Sequence, residues 1–170
     1  MSNGGGAYDV GDKVTLRGKF GTNPTHILAE AAASATAVTV ANATGYASGD
    51  VLLLNPGGDT EELNTISTNG VTNGRTLNLS SALVHPHHVR ESVWERTDPT
   101  VTVLKVKGPS GTTSQYTTSE TTRESPGMFT YDLTLSSAGL YFYQWRGTGT
   151  AQAAGEGQFR VRPSQFATST

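Results

Sequence analysis

Apolar and polar residues alternate along most of the chain in short runs, the pattern of strands with one face buried and the other in water. Val14, Leu16 and Phe20 alternate with Lys13, Thr15, Arg17 and Lys19. Leu104 and Val106 alternate with Lys105 and Lys107, and Tyr131, Leu133 and Leu135 with Thr130, Asp132 and Thr134. Tyr141, Tyr143 and Trp145 continue the series, and Phe159 and Val161 close it against Gln158, Arg160 and Arg162. Gly108-Pro109-Ser110-Gly111, Ser125-Pro126-Gly127, Ser136-Ser137-Ala138-Gly139 and Gly147-Thr148-Gly149 supply the turns between them. One Ala-rich stretch, Ile27 to Ala37, predicts a short helix, although it has no charged outer face and runs into the alternating Val38 and Val40. The expected fold class is all-β.

The segment from residue 26 to residue 97 has a different texture. It holds only Tyr46 and Trp94 as aromatics, whereas eight lie between Asp98 and Pro163. Seven acids against three bases give it a net charge of -4, while the rest of the chain has nine bases against seven acids, a net of +2. Composition and charge change together at both ends, which marks a separate module. Strands are expected within it at Ala37–Val40, Val51–Leu54, Glu62–Ser67, Thr76–Leu79 and Val89–Trp94. Asn69-Gly70 and Asn73-Gly74 mark the tight connection before the fourth, because Asn and Gly tolerate the positive φ of hairpin turns. Five short strands make a small barrel or sandwich with a thin core, expected to lean on its host domain or a partner. The domain reading is therefore 1–25 with 98–163 as one sandwich, 26–97 inserted into it, and a tail at 164–170.

Composition narrows the function. The 170 residues include no Cys, which removes disulfides, thiolate metal sites and cysteine nucleophiles. A formal charge of -2 lacks the basic footprint of a nucleic-acid binder, so the expected partners are proteins. The longest apolar run, Val51–Leu54, is far short of the roughly 20 residues that span a bilayer, and no membrane role is expected. Met-Ser-Asn-Gly-Gly-Gly at the start has neither the basic nor the apolar region of a signal peptide, so export by the general route is not expected.

With the middle segment set aside, the remainder reads as an immunoglobulin-like sandwich of about seven strands. Gly139-Leu140-Tyr141-Phe142-Tyr143 matches the Gly-x-Tyr-x-Cys corner of such sandwiches, with Tyr141 as the corner tyrosine and Tyr143 where antibody domains place a cysteine. The cross-brace is then expected to be aromatic packing, with Tyr141, Tyr143 and Trp145 facing inward. The order of Tyr8-Asp9-Val10-Gly11-Asp12, Asp98-Pro99-Thr100-Val101, Gly127-Met128-Phe129-Thr130-Tyr131, Gly139 to Gly149 and Gln158-Phe159-Arg160-Val161 resembles the immunoglobulin-like structural proteins of tailed-bacteriophage virions. Ala37-Val38-Thr39-Val40, Gly45 to Val51 and Leu77 to Leu83 resemble a small β-module that recurs in phage head and tail proteins. The resemblance implies a non-enzymatic role with no cofactor, attachment to the major capsid protein or another virion structural protein, and lattice-repeated or homo-oligomeric copies. It also implies assembly in the bacterial cytoplasm, where a reducing environment suits a sandwich without cysteine.

The residues that carry chemistry are few. His85-Pro86-His87-His88 and His26 are all the histidines; the bend at Pro86 and the opposite faces of His87 and His88 leave at most two imidazoles converging, so no metal site is expected and the loop is expected in solvent or at a subunit contact. There is no Gly-x-Ser-x-Gly elbow, and Gly147 to Gly157 lacks the Gly-Lys-Ser/Thr of a phosphate loop. Asp59, Glu61 and Glu62 read as a solvated edge. Arg17, Lys19, Lys105, Lys107, Arg160 and Arg162 alternate outward on the first, second and last sandwich strands and are expected to form one stripe. That stripe is either an ordinary soluble face guarding strand edges or a docking surface for an acidic capsid or a neighbouring copy's acidic module. Phe142 is expected to face outward, either at an interface or beneath the inserted module. The arms Met1–Gly6 and Ser164–Thr170 are Gly-, Ser- and Thr-rich and expected to order only on a neighbour. The leading expectation is a capsid decoration protein; a neck or tail component is the alternative, and a host-surface or carbohydrate-binding module the third.

Overall fold

The computed structural model describes residues 8–149, 151 and 154–163, so the two terminal arms lie outside the described residues. The chain divides into two compact units, residues 1–20 with 98–170, and residues 21–97. Fourteen strands and no helix form among the described residues. The first unit opens with β1 (Tyr8–Asp9) and β2 (Lys13–Lys19). The second holds β3 (Gly21–His26), β4 (Ala37–Thr39), β5 (Val51–Leu54), β6 (Glu62–Thr72), β7 (Thr76–Leu79) and β8 (Ser92–Arg96). The first resumes with β9 (Val101–Lys107), β10 (Thr113–Thr117), β11 (Thr122–Ser125), β12 (Met128–Thr134), β13 (Gly139–Thr148) and β14 (Ala154–Arg162).

In the first unit the period-two runs resolve into two sheets, of order β1-β14-β13-β9-β10 and β11-β12-β2. Their apolar faces share one core of Val14, Leu16 and Phe20 from β2, Phe129 from β12, Leu104 and Val106 from β9, Tyr141 and Trp145 from β13, and Val161 from β14. Because successive strand residues point to opposite faces, burying these positions commits the alternate ones to solvent. The result is a sandwich-like all-β unit.

The second unit is a six-stranded sheet of order β3-β8-β5-β6-β7-β4. Its two ends meet: Ile27 and Val40 form an antiparallel bridge, Leu28 donates its N–H to the Thr39 carbonyl at 2.8 Å, and Ala41 donates to the His26 carbonyl at 2.9 Å. Closure removes both edges and encloses Ile27, Val38, Val40, Leu52, Leu54, Ile66, Leu77 and Val93. Residues 21–25, grouped above with the sandwich, pair with β8 and belong here. The helix expected over Ile27 to Ala37 does not form. Ile27 and Ala31 bridge Val40 and His87 instead, and Ser34 has a φ of 69°, which no right-handed helix contains. Asn73-Gly74 does turn between β6 and β7, with φ of 54° and 65°. Asn69-Gly70 does not: it lies within β6, where the register to β7 shifts between Ile66 and Val71, so the glycine serves a bulge.

Candidate functional site

The outward positions of the five-stranded sheet assemble a face that combines exposed large apolar side chains with bases. On β13, Tyr141 and Trp145 point into the core, so Leu140, Phe142, Gln144 and Arg146 point out. Phe142 is 45% exposed and Leu140 40%. Phe142 stands opposite Lys107 on β9 and Gln158 on β14; Gln144 stands opposite Lys105 and Glu156; Leu140 stands opposite Arg160. Arg146 extends the row beside Val103. Phe142 and Leu140 thus stand directly beside Lys107 and Arg160, with Lys105 and Arg146 farther along the same face.

Few of these charges are engaged within the chain. Gln144 donates to the Glu156 carboxylate, and Arg162 is held by Asp9, Nε to Oδ1 at 3.1 Å, where β1 runs parallel beside β14. Lys105, Lys107, Arg146 and Arg160 make no ion pair among the described residues. The exposed bases share this face with the Glu156 carboxylate, and salt screens all of them.

The six bases expected in one stripe divide between two faces. Lys105, Lys107, Arg160 and Arg162 lie on the outer side of the five-stranded sheet, with β13 between their strands. Arg17 and Lys19 sit on β2 in the three-stranded sheet, on the opposite face of the unit. Arg17 Nε lies 3.8 Å from a Glu124 carboxylate oxygen there, and neighbouring Lys13 lies 3.6 Å from Asp132. The first strand pairs with β12 and neighbours neither of the other two. Arg146, outside the expected six, is exposed by the same alternation that exposes Phe142.

Behind the face, Tyr141 turns the corner into β13: its hydroxyl donates to the Ser137 carbonyl at 3.1 Å and accepts the Ser137 N–H at 3.3 Å. Its ring stacks on Phe159 at 5.3 Å. Tyr143 is only half-buried; its ring lies over Gly157, and burial, with a smaller contribution from Tyr8, pushes its phenol up. Contacts that cross between the sheets are made two residues later by Trp145, against Gly18 of β2 and edge-on to Phe20 at 6.4 Å, and by Tyr116 of β10, whose ring stacks on Tyr131 of β12 at 4.0 Å.

Of the histidine cluster, His85 and His88 are exposed, as expected of a solvated loop, and His87 alone departs from that expectation. His87 is fully buried, with Nδ1 2.7 Å from Glu91 and Nε2 3.6 Å from Glu62. The same Glu62 carboxylate accepts the N–H groups of Val84 at 3.0 Å and His85 at 2.9 Å. His88 is exposed and pairs with Glu30 at 2.7 Å, a hydrogen bond that, with the Val89 N–H, holds the Glu30 carboxyl below its usual range. Glu62 is thus no solvated edge residue but the anchor of the 84–91 loop. The four-residue spacing of His87 and Glu91 was visible in the sequence; Glu62, remote along the chain, was not.

No protein-family model, curated protein or solved structure matches the chain.

Proposed function

We propose that this protein is a non-enzymatic structural component of a tailed-bacteriophage virion, a decoration protein that docks on the major capsid protein through the outer face of the five-stranded sheet. The observation that carries the reading is the exposure of Phe142 and Leu140 among four bases that have no ion-pair partner among the described residues. Interfaces concentrate their energy in a few aromatic and arginine side chains that become desolvated at the centre of the patch. Repetition over a shell supplies avidity that a small contact lacks.

The immunoglobulin-like assignment of residues 1–20 with 98–163 draws support from the strand order. β1 lies parallel to the last strand of one sheet, the chain crosses to β2 in the other, and β12 and β13 are linked across the sheets by a corner held by the Tyr141 hydroxyl. The 21–97 unit then occupies the connection from β2 to β9, as an inserted module would.

Stoichiometry against the major capsid protein in purified particles tests the role. Many copies spread over the shell are expected, and a single ring's worth would replace decoration with a neck component. Binding of purified protein to undecorated particles tests the face. Phe142→Ser is expected to weaken binding roughly tenfold or more, and unchanged binding would exclude this surface.

A further inference from the structure

The carboxylates around the 84–91 loop are engaged within the chain, Glu30 with His88, and Glu62 and Glu91 with His87. Arg90, in the same loop, is exposed and lines an open concavity of about 530 Å³ with Pro24, Thr25 and His26 of β3 and Ser92 of β8. No lining residue is acidic. The Thr25 hydroxyl already accepts the Asn42 N–H at 3.1 Å. That leaves the Arg90 guanidinium, the His26 imidazole and the Ser92 hydroxyl, none of them hydrogen-bonded or ion-paired through its side chain among the described residues. The backbone at Arg90 is a second observation. The Glu91 N–H donates to the His88 carbonyl at 3.2 Å, which makes Val89 and Arg90 the central pair of a β-turn, and Arg90 has a φ of 77°. Glycine is the usual occupant of such a position, because a side chain crowds the backbone in the left-handed conformation. A long cationic side chain is thus carried where the backbone disfavours one, at the border of a concavity without acids.

We propose that this concavity binds a carboxylate carried by a partner protein, an Asp or Glu side chain, with Arg90 and His26 as N–H donors and Ser92 as an O–H donor. A guanidinium presents paired N–H groups that match the two oxygens of a carboxylate, and an imidazole donates an N–H in either of its charge states. The volume exceeds that of a bare ion and Pro24 gives it an apolar border, which fits an acid borne on a peptide. The chain's own acids nearby do not compete, since Glu91 and Glu30 are each held 2.7 Å from a histidine nitrogen. The site rests on these residues and not on the virion reading; where both hold, it is a contact separate from the Phe142 face.

Nuclear magnetic resonance titration of the full chain at fixed pH and ionic strength tests this. The probe is N-acetyl-aspartate amide, with its asparagine analogue as the uncharged control and inorganic phosphate as the competing anion. Saturable shifts of the His26 ring and of the Arg90 and Ser92 amides are expected with the aspartate probe, at a dissociation constant of roughly 1–10 mM for so small a ligand. None is expected with the asparagine analogue. Arg90→Gly is expected to raise the constant roughly tenfold or more while the thermal midpoint holds or rises, because glycine adopts the left-handed turn without strain. Arg90→Gln, which keeps the backbone conformation and most of the side chain's length, is expected to lose as much binding. A response that does not saturate, one equalled by the asparagine analogue, or one unchanged in both variants overturns the proposal. Tighter binding of phosphate than of the aspartate probe overturns it in favour of a phosphate site.

Discussion

Gly18 and Trp145 show how one residue pair sets the spacing between the two sheets. A Cβ at position 18 would come within 2.6 Å of the Trp145 ring, which is buried, so the indole occupies the space that glycine leaves. Gly18→Ala is expected to destabilise the protein by about 1–3 kcal/mol as the ring or the sheet gives way, read as a lower urea midpoint at constant m-value. Tyr141→Phe keeps the ring stacked on Phe159 but removes both hydrogen bonds to Ser137. A loss of about 1 kcal/mol is expected by the same measurement, since the Ser137 backbone groups are near enough to solvent to be rehydrated.

At the scale of elements, the 84–91 loop is the part of the second unit most dependent on one side chain. His87 meets Glu91 and Glu62 from the centre of the loop, and its backbone exchanges hydrogen bonds with Ala31 at 2.8 and 2.9 Å. His87→Ala leaves two largely buried carboxylates facing the space the imidazole filled. An expected loss of about 3 kcal/mol would appear as a lowered thermal midpoint and faster hydrogen exchange at Val84 and His85, whose N–H groups Glu62 accepts. The β6–β7 hairpin is a smaller case. Gly74 has a φ of 65°, and Gly74→Ala is expected to cost about 1 kcal/mol in stability at that turn. The elements also show the reach of local pattern. Four of the five strands expected in this unit match in position to within a residue at their starts, but the Ala-rich segment offered helix propensity and became bridged strand, because closing the sheet at Ile27 and Val40 satisfies backbone groups that an isolated short helix leaves to water.

For the whole molecule, the division of bases between two faces is the feature on which the proposed docking turns. Arg160→Glu is expected to weaken attachment to particles roughly tenfold with little change in stability, and the loss should shrink as salt rises. Arg17→Glu, on the opposite face and beside Glu124, is expected to leave attachment unchanged. Arg162→Glu is expected to affect stability as well, since it sets a second carboxylate beside Asp9. Equal losses from Arg17→Glu and Arg160→Glu in a particle-binding assay would mean that net charge, and not the Phe142 face, governs attachment.

By itself the sequence determined that the chain is all-β, which residues of each strand turn inward, and that Phe142 and the alternating bases turn out, because side-chain direction along a strand follows from a local period of two. It also carried the change of composition near residues 20–26 and 97–98, where the two units meet in sequence. Only the tertiary structure decided which strands are neighbours. That choice put β2 beside β12 and away from β9 and β14, split the expected stripe, closed the second sheet on itself, and buried His87 between carboxylates drawn from positions far apart in the chain. Strand pairing is a long-range choice made by the sum of core packing and backbone hydrogen bonding, and no local pattern of residues encodes it.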